Sequence, residues 1–239
     1  MTSHRPLLIP IIVTVAFAAV CTRLGVWQVH RLAERRAWNA HLEERLAAAP
    51  VPVTELGADS SMGHYRRVTA TGRFDFEREI ALATRSSQGS PGVHVLTPLR
   101  LADGSVALVN RGWVYAADAM TIDHAAWREN ADSLVTVTGY AETWSGHIGA
   151  PAPRATRVVR ALDSATVARL VGAPIRPFYV VQTSDSVPGP RRPVRLATPV
   201  LDEGSHRNYA IQWFSFALVA LIGGSLLVRE EIVRRRASA

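Results

Sequence analysis

The chain contains no lysine: all 27 of its basic side chains are arginine. That removes a Schiff-base amine and a P-loop lysine from its possible chemistry. Cysteine is nearly absent too, with Cys21 alone, so an internal disulfide and any Cys-pair metal or redox motif are excluded. One cysteine and three methionines also make a poor set of soft ligands for carrying copper. No G-x-S-x-G elbow, H-E-x-x-H helix, Gly-rich phosphate loop or C-x-x-C-H haem attachment occurs. No pair of carboxylates stands out as an acid and a base, so the chain reads as a non-enzyme. A net charge of +7 invites a nucleic-acid partner. The arginines are scattered, however, and no basic helix or aromatic-interleaved stripe appears, so none is expected. Several arginines flank the apolar ends of the chain, where they would meet anionic lipid headgroups.

Those ends carry the longest apolar runs. The first extends from Pro6 to Thr22 without a charge, at the short limit of about 17 residues for a membrane span. A signal peptide would occupy the same place, but the helical pattern continues through Trp27 to Leu46, and an uncleaved anchor is expected. Cys21 then reads as a buried membrane thiol rather than a lipidation site. The second run, Tyr209 to Val228, has Gln212 as its only strongly polar side chain and the length of one span. Tyr209 and Trp213 sit where interfacial aromatics belong, and Ala220 and Gly224 form a small-xxx-small pair suited to close packing on the first helix.

The expected organisation is a membrane protein whose two transmembrane helices flank a mainly antiparallel β domain, barrel- or sandwich-like, with one or two helices. The segments are a first span at 6–27, an amphipathic extension at 28–46, a β-rich extracytoplasmic domain at 47–204, a second span at 205–228 and a basic tail at 229–239. Two spans put both termini on one side of the membrane. Arginine counts on the two sides nearly balance, and long loops translocate largely regardless of charge, so the tails are assigned to the cytoplasm. Within the domain, Tyr65 to Thr71, Ile80 to Ala83, Val93 to Leu99, Val106 to Val114, Val135 to Tyr140 and Phe178 to Gln182 read as strands. Asp103-Gly104 marks a hairpin turn. Ser164 to Val171 reads as a helix capped by Asp163 or Ser164 and ended by Gly172. Residues 184–193 read as a Pro/Ser-rich loop.

Among the histidines, His4, His41, His64, His124 and His147 lie in polar contexts and read as solvated, and His94 as a packing or hydrogen-bonding residue of a strand. His206 stands three residues before Tyr209, at the membrane edge of the second span, with Ser205 able to cap the helix. A neutral imidazole there suits haem iron. The alternative is an interfacial histidine bound to headgroups and water. His30 lies on the same membrane side and could face His206 across a haem. Trp27 and Gln28 read as interfacial anchors. Arg111, in the run Asn110 to Trp113, could meet a propionate or form an internal salt bridge.

The blocks RLGVWQVHR (Arg23 to Arg31), YRRVTATGRFD (Tyr65 to Asp75), PGVHVLTPL (Pro91 to Leu99), ALVNRGWV (Ala107 to Val114) and SHRNYAIQWFSFA (Ser205 to Ala217) occur in that order. Together they resemble the Surfeit locus protein 1 family, assembly factors of cytochrome c oxidase, with Ser205 where the family commonly has Asn. The resemblance implies an assembly factor that binds haem a and helps place it in oxidase subunit I, with subunit I, haem A synthase and the lipid bilayer as partners. The family's histidine falls on His206, which would be the axial ligand, with Trp213 and Phe214 packing near the macrocycle and Arg111 a possible propionate contact. A membrane scaffold that holds an oxidase intermediate without haem is the alternative. No transit peptide precedes the first span, so a bacterial inner membrane is the expected setting.

Overall fold

Two very long helices hold the apolar runs. In the computed structural model, which describes residues 8–57, 63–129, 132–144, 157–183 and 192–237, α1 runs Leu8–Ala47 and the last helix, α3, His206–Ala237. His4 and His147 lie outside the described residues, as does most of the loop expected at 184–193. At 40 and 32 residues, the helices are roughly 60 and 48 Å long, so each can cross a hydrocarbon core of about 30 Å. Their apolar side chains mostly face outward: Val13, Val20, Leu218, Val219 and Leu227 are all more than half exposed. Such a continuous apolar surface calls for a bilayer or a partner.

The chain forms two units, one holding residues up to His41 and from Leu201 onward, the other Leu42–Val200. In the helical unit, Ala18, Cys21 and Ala217 are buried with Trp213 against them. A Cβ on Gly25 would meet the Phe214 ring at 2.8 Å, and one on Gly224 would meet Thr14 at 2.5 Å. Small residues therefore let the helices approach closely. Arg36 holds both oxygens of Glu203 at 2.7 and 3.0 Å, while Arg35 and Asn39 donate to the Asp202 carbonyl. These bonds fix the short segment before α3 onto α1.

The second unit is built on one eight-stranded sheet: β1 Val51–Pro52, β2 Arg67–Phe74, β3 Ile80–Ser87, β4 Ser90–Leu101, β5 Val106–Tyr115, β6 Val135–Thr143, β7 Val158–Val159 and β8 Phe178–Gln182. The order is β1-β2-β6-β8-β5-β4-β3-β7, with β2 also pairing with β4. That extra pairing closes β2, β6, β8, β5 and β4 into a five-stranded barrel. β4 can serve both partners because it is 12 residues long: Leu99–Leu101 face β2, while Ser90–Leu96 pair with β3 outside the ring. The pairings β1–β2, β3–β7 and β5–β8 are parallel, so the sheet is mixed, mainly but not wholly antiparallel. The β5–β8 pairing needs a long crossover, supplied here by β6, β7 and α2, Ser164–Val171.

Val68, Ala70, Leu99, Val109, Val137, Phe178 and Val180 belong to the cluster contributed by the barrel strands. A second cluster packs α2, through Val167 and Val171, against Ile80, Leu82, Leu96 and Leu108. β5 alternates between the two, Ala107 and Val109 on one side and Val106 and Leu108 on the other, as the period-2 geometry of a doubly covered strand requires. The Asp163 side chain caps α2 by accepting from Thr166 N, and Gly172 ends it with φ +67°.

Candidate functional site

Arg111 stands in β5 with no exposed surface. Its Nε donates to Thr97 Oγ1 at 2.8 Å, Nη1 to Glu129 at 3.1 Å, and Nη2 to Glu79 at 2.7 Å and the Trp127 carbonyl at 2.8 Å. Phe74 and Phe76 lie 5.4 and 5.0 Å from the guanidinium. Glu129 also binds Arg195 at 2.7 Å, and Glu79 accepts from Thr97 at 2.6 Å and faces His124 Nδ1 at 2.8 Å. Every guanidinium nitrogen is thus engaged inside the sheet unit, four of the five N–H groups are used, and no part of the side chain is exposed. Of the two readings of Arg111 in the sequence, the internal salt bridge is the arrangement found. A buried charge must be fully paired to be tolerated, and here the pairing ties β5 to the 124–129 segment and to Arg195.

The neighbouring residues are structural as well. Gly112 has φ +129°, and a Cβ there would strike the Val194 carbonyl; Trp113 and Val194 exchange two backbone hydrogen bonds of 2.8 Å. Asn110 lies 3.3 Å from His94 Nδ1. Burial first, then the charge of Arg85, pushes His94 down to about 4, so its ring is neutral at pH 7.

His206 opens α3 in the helical unit. Its Nδ1 lies 2.8 Å from Gln28 Oε1 on α1. An amide oxygen only accepts, so Nδ1 carries the proton and donates, and the lone pair stands on Nε2. Gln28 is only 8% exposed and is held as firmly as a core residue. The imidazole lines a cleft of about 380 Å³ with Arg31, Glu34, Arg35, Trp38, Asp202, Glu203 and Gly204. Gly204, at φ +71°, leaves the Nε2 edge clear: a Cβ there would lie 3.8 Å from Nε2. A half-buried imidazole, tautomer-fixed by a buried acceptor and open at Nε2, has the form of a metal-ligating histidine.

Trp213 and Phe214 occupy other places. Trp213 packs on the Ala18–Cys21–Ala217 cluster and edge-on to Phe216 at 5.9 Å, while Phe214 lies over Gly25. Neither lines the cleft, whose aromatic wall is Trp38. His30 is exposed, and Gln28 holds the place opposite His206. The sequence alone marks Gln28 only as an interfacial anchor and does not single out Arg31, Arg35 and Trp38 as parts of the site. Their signal was available, since positions 28, 31, 35 and 38 fall on one stripe of a helix.

A model of the SURF1 family matches residues 15–218. An uncharacterised SURF1-like protein of Mycobacterium tuberculosis is 29% identical, covering 94% of this chain and 84% of its own length. A SURF1-like protein of Monosiga brevicollis is 29% identical over 83% of this chain and 79% of its own. One of Rickettsia bellii is 26% identical over 90% and 87%. The match takes in most of the first apolar helix, the whole sheet unit, the His206 cleft and the first part of the second apolar helix, and the chain belongs to the SURF1 family.

Proposed function

We propose that this protein is a haem a-binding assembly factor of a haem-copper cytochrome c oxidase, anchored in a bacterial inner membrane with both termini cytoplasmic and the sheet unit outside. SURF1 proteins are in general cytochrome oxidase assembly factors, which supports the process; the haem reading rests on one observation, the His206–Gln28 pair at 2.8 Å. With Nδ1–H donated to Gln28, Nε2 is free to ligate iron from the cleft. Trp38 offers an apolar wall, and Arg35 offers a cation for a carboxylate of the macrocycle, whereas Arg31 is paired with Glu34 at 2.5 Å. Bound haem would bring its own redox chemistry; the protein holds and orients it until subunit I accepts it. Subunit I and haem A synthase are the partners this role requires.

The test is an absorption spectrum of detergent-purified protein, co-expressed with haem A synthesis, for wild type and His206→Ala. A haem a spectrum lost or shifted in the variant is the expected result. Protein without haem in either form, with oxidase maturation still dependent on the gene, would replace this reading by a scaffold that stabilises an assembly intermediate.

A further inference from the structure

The end of the helical unit away from His206 contains a second cavity. Ile11, Thr14 and Val15 of α1 and Leu221, Gly224, Val228, Ile232 and Val233 of α3 bound a groove of about 570 Å³, within the size range of small-molecule sites. It begins where Gly224 abuts Thr14. The hydroxyl of Ser225, also on its wall, is turned back onto the Leu221 carbonyl at 2.7 Å, so the wall stays apolar. At its polar end stand Arg229 and Arg236, seven residues apart and so on one helix face.

The pairing of the arginines in this tail is uneven. Arg234 binds Glu230 at 3.1 Å and Arg235 binds Glu231 at 3.1 Å. Among the described residues no carboxylate pairs with Arg229 or Arg236. The two tail arginines without a carboxylate among the described residues are thus the two that line the groove. An apolar trough between membrane helices, ending in two guanidinium groups that have no carboxylate partner among the described residues, has the chemistry that accepts an acyl chain and a phosphate. We propose that this groove is a binding site for one anionic phospholipid, its phosphate held by Arg229 and Arg236 and one acyl chain lying along Ile11, Val15, Leu221 and Val228. The proposal rests on the membrane-spanning reading of α1 and α3 and is independent of haem.

Native mass spectrometry of the full chain in detergent tests it, with dioleoyl phosphatidylglycerol and dioleoyl phosphatidylcholine added in equal amounts. The acyl chains are identical, so only the headgroup differs. The expected result is retention of one phosphatidylglycerol, favoured about tenfold over the zwitterionic lipid. Arg229→Gln/Arg236→Gln should abolish the preference, while Arg234→Gln/Arg235→Gln, which removes the same charge, should keep it. Equal loss in both double variants would reduce the effect to net charge and overturn the site. Equal retention of the two lipids, or retention of neither, would make the groove a general crevice or one covered by another polypeptide, and would overturn it too. Extraction of membranes with alkaline carbonate separates the two levels. A chain that stays in the membrane without lipid preference sinks the site alone; a chain that is released sinks the spanning reading with it.

Discussion

Gln28 decides what His206 can do. With Oε1 as the only acceptor within reach of Nδ1 among the described residues, at 2.8 Å, the amide sets the tautomer, and outer partners of this kind are worth about 10–100-fold in metal affinity. Gln28→Leu is expected to weaken haem binding by about that factor, and Gln28→Glu, which offers an anionic acceptor, to make the imidazole more basic and lower the haem reduction potential. A structural role alone would move both variants in the same direction, so the opposite response of the leucine and glutamate proteins in a redox titration is the deciding readout. Nitrogen NMR of haem-free protein labelled at histidine should show the Nδ1–H form in wild type and lose it in Gln28→Leu; an unchanged tautomer would end this account of Gln28. His206 could be singled out from sequence because an ionisable group at the edge of an apolar run is conspicuous. Arg111 was as conspicuous but ambiguous, since nothing in a linear run reveals that Glu79, Glu129 and Arg195 converge on it from 32, 18 and 84 positions away.

At the level of elements, the barrel depends on β2 pairing on both edges at one point. Gly72 is opposite Val135 of β6 and opposite Leu101 of β4, and a Cβ there would collide with the Arg100 carbonyl. Gly72→Ala is therefore expected to destabilise the protein by about 1–3 kcal/mol, as overpacking does. Gly57→Ala, where a Cβ would meet nothing within 4 Å, should change it by less than about 0.5 kcal/mol. Denaturant unfolding of both variants, followed by far-UV circular dichroism, checks the contrast, and similar midpoints would remove Gly72 from the closure. Elements with local signals were legible: the α2 caps at Asp163 and Gly172 and the turn in which Ser105 N donates to Asp103 at 2.9 Å. The two-residue strands β1 and β7 carry no periodicity to read, and each exists only through a parallel pairing with a longer strand. β8 read clearly as a strand, yet its parallel alignment with β5 is a matter of chain path, which alternation does not encode.

For the whole molecule the open quantity is orientation. The arginines near α1 and α3 do not decide it, and a segment as long as Leu42–Val200 lies beyond the roughly 60-residue loops over which the positive-inside bias operates, so its charge does not set its side; the proposed function puts it outside. It carries a buried ion cluster and many charged side chains, so it belongs in water and not in lipid. In that proposal, with two spanning helices at its ends, the tail beginning at Arg229 lies across the bilayer from it. The solitary cysteine makes the arrangement measurable, because Cys21 is 1% exposed and should react little with a bulky maleimide. Ala102→Cys, in the exposed turn between β4 and β5, is expected to label in intact spheroplasts with a membrane-impermeant maleimide. Ala237→Cys, at the end of α3, should label only after the membrane is opened. The reverse pattern would put the sheet unit in the cytoplasm. His206 and its cleft, at the opposite end of α3 from that tail, would then face the cytoplasmic surface, and the haem transfer would have to be sought on that side of the membrane.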